Sequence, residues 1–426
     1  VAAVNPRMSK IELENDQPVT FVPMAAVSAE SGVIDVTDVQ LAGPLKRKSY
    51  RQFADGDVLV AKITPSMENG KGAVARGLAN GRGFGSTEFH VLRPGSVDAG
   101  FLLRFLLQPS FRADAARNMT GTAGQLRVPP DYLRRHPIPV PPLPEQRRIV
   151  ERIEEHFSRL DAAEASLEDA KRRSAALERT IFATANADQW PESPLGELLE
   201  GIEAGKSFKT PGRPAVEGEW GVVKVSAMTW GEFDPSQNKA VLSADRIDPR
   251  YEIVSGDLLL SRANTSELVG ATVLVGACPD RLLLSDKSMR LLTKPGVDRQ
   301  WLRYCLGSPS VRAQMSAVAS GTSDSMRNIS QSKVKALKVR FPPIDEQRRL
   351  ADGITLQLRM AGELSSNTTI ATSRSAALRQ SILAAAFSGQ LVPQDPAEEP
   401  AEVLLERITA ERAAAKPTRK RKEAAS

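Results

Sequence analysis

Along two stretches of this chain, apolar residues recur at a spacing that places them on one face of a helix. Stepping alternately by four and three from Ile149 reaches Ile153, His156, Leu160, Ala163, Leu167, Ala170, Ser174, Leu177 and Ile181. The same walk from Leu350 reaches Ile354, Gln357, Ala361, Leu364, Thr368, Ala371, Ser375, Leu378 and Ile382. Both read as coiled-coil seams. A helix of about 40 residues would run on the order of 60 Å. Pro144 suits the first turn of one, and Asp345 with Glu346 suits the positive end of the other's dipole. Elsewhere the pattern changes. Asp57-Val58-Leu59-Val60-Ala61-Lys62 and Asp257-Leu258-Leu259-Leu260-Ser261-Arg262 read as strands leading into polar loops. Phe101 to Leu107 and Trp301 to Leu306 read as short helices stopped near Pro109 and Pro309.

These features come in pairs. Pro141-Pro142-Leu143-Pro144-Glu145-Gln146-Arg147-Arg148 returns as Pro342-Pro343-Ile344-Asp345-Glu346-Gln347-Arg348-Arg349. Arg173-Ser174-Ala175-Ala176-Leu177 returns as Arg374-Ser375-Ala376-Ala377-Leu378 at the same offset of 201. Gly56-Asp57-Val58-Leu59 matches Gly256-Asp257-Leu258-Leu259, and Gly121-Thr122 matches Gly321-Thr322, at an offset of 200. The chain is a tandem duplication, each half a variable block followed by a long helix. The expected fold class is α+β: two mixed α/β blocks and two helices forming an antiparallel coiled coil. A pseudo-twofold axis then predicts that position i faces 531 − i, setting His156 against Ser375, Ser174 against Gln357 and Leu160 against Ala371.

Composition narrows the function. With 41% hydrophobic and 25% charged residues, the 426-residue chain has the make-up of a globular protein of several domains. No apolar run approaches the ~20 residues of a membrane span. Cys278 and Cys305 are the only cysteines, and His90, His136 and His156 the only histidines. That inventory argues against a disulfide framework or a zinc site and favours a reducing, cytoplasmic setting. The net charge of +6 is concentrated in the blocks: 17 Lys and Arg against 13 Asp and Glu over 1–142, and 20 against 18 over 188–341. Such an excess suits an anionic partner such as DNA.

Catalytic motifs are missing. Gly201-Ile202-Glu203-Ala204-Gly205-Lys206-Ser207 is one residue short of a phosphate loop, and Gly81-x-Gly83-x-Gly85 lacks dinucleotide spacing and reads as a turn. There is no Asn/Asp-Pro-Pro-Tyr/Phe grip for a methylated base and no HExxH pair. His156 reads as an interior polar position of the helix.

A Pro-Pro-Leu-x-Glu-Gln motif opening a long helix, twice, after two divergent blocks, resembles the specificity subunits of type I restriction–modification enzymes. Leu195-Gly196-Glu197 with Gly205-Lys206-Ser207, Ser86-Thr87-Glu88-Phe89-His90-Val91-Leu92-Arg93, Ser320-Gly321-Thr322 to Asn328-Ile329-Ser330, and Phe387-Ser388-Gly389-Gln390-Leu391-Val392-Pro393 resemble further segments of that family. The first block, beginning Val1-Ala2-Ala3-Val4-Asn5-Pro6-Arg7, lacks the Leu-Gly-Glu opening and an initiator Met, so its start is expected to be trimmed.

The resemblance implies a first target-recognition domain over 1–142, a central spacer helix over 143–187, a second recognition domain over 188–341, a C-terminal spacer helix over 342–390 and a tail over 391–426. In that tail a short amphipathic helix around Val403 to Ile408 precedes the solvated basic run Lys416 to Lys422. It implies a non-catalytic chain that binds double-stranded DNA, two modification (methyltransferase) subunits and restriction (translocase/endonuclease) subunits. S-adenosylmethionine, ATP and Mg²⁺ are expected on those partners, and no cofactor in this chain. The competing expectation is a coiled-coil scaffold, or a DNA-binding adaptor outside restriction. Arg reads guanine, Asn and Gln read adenine, and Lys mostly holds phosphates. Candidates where strand patterns end in loops are Lys46, Arg47, Lys48, Lys62, Asn69, Lys71, Gln125 and Arg127. In the second block they are Lys206, Lys209, Arg213, Arg262, Asn264, Arg327 and Asn328.

Overall fold

The computed structural model describes residues 1–6, 13–29, 31–122, 124–229, 231–242, 247–324 and 326–414. It divides into two units, Val1–Ser166 with Ala371–Ser426, and Leu167–Ile370.

In the first unit an antiparallel sheet runs in the order Ala2–Val4, Phe89–Pro94, Val58–Ala61, Gly72–Val74. A second sheet orders Val39–Leu41, Pro18–Val22, Arg82–Gly85, Arg51–Ala54, with its two middle strands parallel. The glycines at 83 and 85 thus lie in a strand and not in the expected turn. A Cβ on Gly83 would sit 2.2 Å from the buried Phe53 ring, so glycine makes room for that ring. The second unit repeats the plan. Leu199–Ala204, Ser288–Thr293, Leu258–Ser261 and Thr272–Leu274 form an antiparallel sheet in the same order. Asn238–Ala240, Gly221–Val223 and Leu282–Leu283 form the other, again with one parallel pair. Gly201 to Ala204 therefore belong to a strand, and no helix follows Lys206 and Ser207 as a phosphate loop requires.

The repeated sequence motifs are repeated structures. Gly56 and Gly256 both hold φ near +90° (87° and 89°), and the Asp behind each accepts a main-chain N–H, from Ala54 and Val254, both at 2.9 Å. Asp57 then pairs with Arg93 at 2.6 Å and Asp257 with Arg290 at 2.9 Å. In the helix-opening motif the glutamine is fully buried in both copies, 0% exposed. Gln146 accepts from the Asp98 main-chain N–H at 2.8 Å and donates to the Pro141 carbonyl at 2.7 Å. Gln347 accepts from the Asp298 N–H at 2.8 Å and donates to the Pro342 carbonyl at 2.8 Å. Asp98 and Asp298 in turn cap the helices Ala99–Leu106 and Arg299–Gly307 through the N–H groups of Phe101 and Trp301. Each block is latched to its long helix at the same point.

The long helices span Leu143–Thr184 and Ile344–Phe387. In the first unit their segments run antiparallel. The Phe157 ring lies between the guanidinium groups of Arg104 (5.3 Å) and Arg379 (5.1 Å). Arg379 reaches Asp161 at 2.5 Å, and Ser375 donates to Glu164 at 2.6 Å. The direction is the expected one, but the register is not. Ser375 meets Glu164, eight residues beyond His156, or about 12 Å along the helix. The seam differs too. Ile149, Ile153 and Phe157 are buried at two successive four-residue steps, and that stutter moves the following positions. Leu177, Leu364 and Leu378, expected inside, are about half exposed (49%, 49% and 51%), and Gln357 is exposed. Ser174, Thr368 and Ser375 are buried as the seam requires.

In the second unit Trp301 fills the core and donates Nε1–H to the Ala185 carbonyl at 3.0 Å, while Phe182 packs on Tyr304. In the first, the tail packs back on its own unit. Leu391 and Val392 join the cluster of Phe101, Ile149 and Ile153, and Arg148 binds the Glu398 carboxylate. The tail helix, Ala401–Ala414, is longer than expected and buries Leu404 and Ile408. The basic run Lys416 to Lys422 lies outside the described residues. Among them, no helix is long and apolar enough to cross a membrane.

Candidate nucleic-acid interface

In each unit the strand that starts at the Gly-Asp turn ends beside an exposed hairpin, and three loop segments converge there. In the first, the Lys62 N–H donates to the Glu88 carbonyl at 2.9 Å and the Val128 N–H donates to the Lys62 carbonyl at 2.9 Å. In the second, the Arg262 N–H donates to the Lys287 carbonyl at 2.8 Å and the Ile329 N–H to the Arg262 carbonyl at 3.0 Å. The hairpin is Thr120–Thr122 with Gln125–Arg127 in one, and Ser320–Ser323 with Met326–Asn328 in the other. Gly121 and Gly321 allow its tight crossing, since a Cβ would lie 2.6 Å from the Gln125 carbonyl and 2.3 Å from the Met326 carbonyl. The shared bonds make Lys62 equivalent to Arg262, Glu88 to Lys287, and Val128 to Ile329. Arg127 is therefore equivalent to Asn328, not to Arg327.

The first cluster is electrostatically matched within itself. Glu88 accepts from Arg127 Nε at 2.9 Å and Nη2 at 3.0 Å, and Lys62 Nζ lies 4.0 Å away. The Arg127 bonds hold the Glu88 carboxyl below its ordinary range and raise the guanidinium, whereas partial burial lowers the Lys62 ammonium. In the second cluster Lys287 replaces the glutamate and is exposed. Arg262 donates to the Asp286 carbonyl at 3.4 Å, Arg327 pairs with Asp324 at 3.1 Å, and Lys206 joins through a strand bridge to Ser285.

No protein-family model matches the chain. Relatives match along most of it. The specificity subunit of the type I restriction enzyme EcoEI of Escherichia coli is 26% identical over 86% of this chain and 77% of its own. That of EcoKI from E. coli strain K12 is 26% identical over 92% and 89%. That of EcoAI is 40% identical over 38% of this chain and 28% of its own. The fold matches the HsdS subunit from Thermoanaerobacter tengcongensis with a TM-score of 0.58 at 22% identity, over 88% of this chain and 92% of that one. A structure described as the basis of complex assembly and conformational transition of the type I R-M system matches with a TM-score of 0.71 at 21% identity, over 88% and 93%. Over most of its length the chain is thus similar to the type I restriction enzyme specificity subunits.

The candidate residues fall into groups. Lys62, Gln125 and Arg127 meet at the first loop cluster, with Asn69 and Lys71 on the loop that continues from Lys62. Lys71 donates to the Met24 carbonyl at 3.0 Å. Lys206, Arg262, Asn264, Arg327 and Asn328 meet at the second. Lys46, Arg47 and Lys48 stand apart, at the end of a short helix, Ala42–Lys46, with Lys48 over the Tyr50 ring. Lys209 and Arg213 lie by the strand Asn238–Ala240, and Arg213 is held bidentate by Glu219 at 2.6 and 2.7 Å. Glu88 and Lys287 stand at the same loop clusters and were not among the candidates. A signal existed: Ser86-Thr87-Glu88 and Ser285-Asp286-Lys287 align at an offset of 199, outside the two offsets the repeat displayed. Among the described residues no cluster of three or more His, Cys, Asp or Glu is arranged to hold a metal.

Proposed function

We propose that the chain is a type I specificity subunit that reads a bipartite site on double-stranded DNA, one half with each block, and positions two modification subunits and the restriction subunits on it. S-adenosylmethionine, ATP and Mg²⁺ act on those partners. The observation that carries the reading is the duplicated loop cluster: one backbone arrangement, built twice, each time with cations at the open end of a sheet and each time latched by a buried glutamine to a long helix. A backbone held constant under differing side chains is what two independent half-site readers need. The test is a genome-wide map of methylated bases in a host expressing the modification subunit with and without this chain. A single two-part motif that depends on the chain is expected; no chain-dependent motif would overturn the reading. Exchanging 188–341 for the block of another family member should alter one half of the motif only.

A further inference from the structure

The two clusters share a backbone, so their differing side chains are directly comparable. At the equivalent position on the hairpin the first carries Arg127 and the second Asn328. The strand pairing agrees with the loop bonds, with Ile63 opposite Arg127 and Ala263 opposite Asn328. We infer that this position reads a base in each half-site, Arg127 a guanine and Asn328 an adenine. The inference rests on the proposed function.

Arg127 is built for direction and not for charge. Two of its N–H groups are taken by Glu88, which also offsets its charge, and Nη1 donates to the Gln125 carbonyl at 3.1 Å. One N–H on each of Nη1 and Nη2 remains among the described contacts, on a side chain 38% exposed. A fixed pair of N–H donors is the complement of guanine O6 and N7, whereas a phosphate contact would gain from the positive charge that Glu88 offsets. Asn328 is exposed, and its side-chain amide makes no hydrogen bond among the described residues. It offers one donor and one acceptor, the complement of adenine N7 and N6. Lys62, Arg262 and Lys287, tied to the same loops, are left to hold the phosphates.

The experiment maps methylated motifs for the full chain with its modification subunits, comparing wild type with Arg127→Asn, Arg127→Ala and Asn328→Arg. Arg127→Ala should cost roughly 10- to 100-fold discrimination at one guanine of one half-site. Arg127→Asn should turn that guanine towards adenine, and Asn328→Arg should do the reverse in the other half. Because Asn328 is exposed, its variant folds and carries the test if the Arg127 variants do not. An unchanged motif overturns the inference, as does uniformly weaker methylation with a shallower salt dependence, the mark of a phosphate contact. A wild-type chain with no bipartite motif would instead refute the proposed function.

Discussion

Replacing Gln146 by alanine removes the acceptor for the Asp98 N–H and the donor to the Pro141 carbonyl in one step. Both bonds lie at a fully buried side chain, so water cannot easily replace the lost partners. An orphaned buried main-chain group costs about 1–3 kcal/mol, so two cost about 2–6 kcal/mol, a large share of a domain's 5–15. Gln347→Ala removes the same pair at Asp298 and Pro342, together with a longer donation to the Gly296 carbonyl at 3.3 Å, and should cost at least as much. The chain has two units, so a single unfolding midpoint is a poor readout. Amide hydrogen exchange on the full chain resolves them. Gln146→Ala should speed exchange at Asp98 and along Ala99–Leu106 by about a hundredfold, leaving Arg299–Gly307 unchanged, and Gln347→Ala should do the opposite. Gln146→Met, which fills the space without the bonds, should recover little. Acceleration below about threefold, or equal acceleration in both copies, would refute the latch.

Three further outcomes are expected. His90 is buried, accepting from Asn5 at 3.0 Å and donating to the Val128 carbonyl at 2.8 Å, and burial pushes its pKa down to about 4. Between pH 6.5 and 4 the unfolded chain binds the proton that the folded one refuses, so stability is full above 6.5 and falls by about 3 kcal/mol as pH drops through 4. Urea titrations of wild type against His90→Gln should show that excess acid loss only in wild type. Ser174 is buried and its Oγ has no partner among the described residues, whereas its repeat equivalent Ser375 donates to Glu164. Ser174→Ala should therefore be neutral or slightly stabilising, and Ser375→Ala should cost about 1–2 kcal/mol, read by amide hydrogen exchange along each serine's own helix segment. Under the proposed function, removing one heptad from each long helix, within 160–175 and 361–376, should shorten the unread spacer of the methylated motif by about three base pairs, since seven residues rise about 10 Å; an unchanged spacer in an active variant would contradict it.

The helices, the duplication and the sheet-ending strands were legible because each rests on local periodicity or a repeated motif. The coil register was not. Strict alternation of four and three assumes one continuous seam, but Phe157 is held between two arginines and imposes a second four-residue step. Thereafter Glu164 faces the partner helix, a position that a pattern of apolar residues alone passes over. Leu177, Leu364 and Leu378 looked like better core residues, and they lie on the outside. The loop clusters were legible as positions and not as pairings. Their equivalences slip between offsets of 199, 200 and 201, and only the main-chain bonds show that Arg127 answers to Asn328.

The latch has a consequence for how such a chain diversifies. Gln146 and Gln347 grip their blocks through main-chain atoms alone, an amide N–H and a carbonyl in the first copy and an amide N–H and two carbonyls in the second. The grip is indifferent to which side chains the block carries. A genetic crossover within the two Pro-Pro-x-x-Glu-Gln stretches would splice a foreign block onto a resident helix with its anchoring bonds ready made. Under the proposed function, new target sequences would then arise by recombination between relatives, one half at a time, with no compensating mutations at the join.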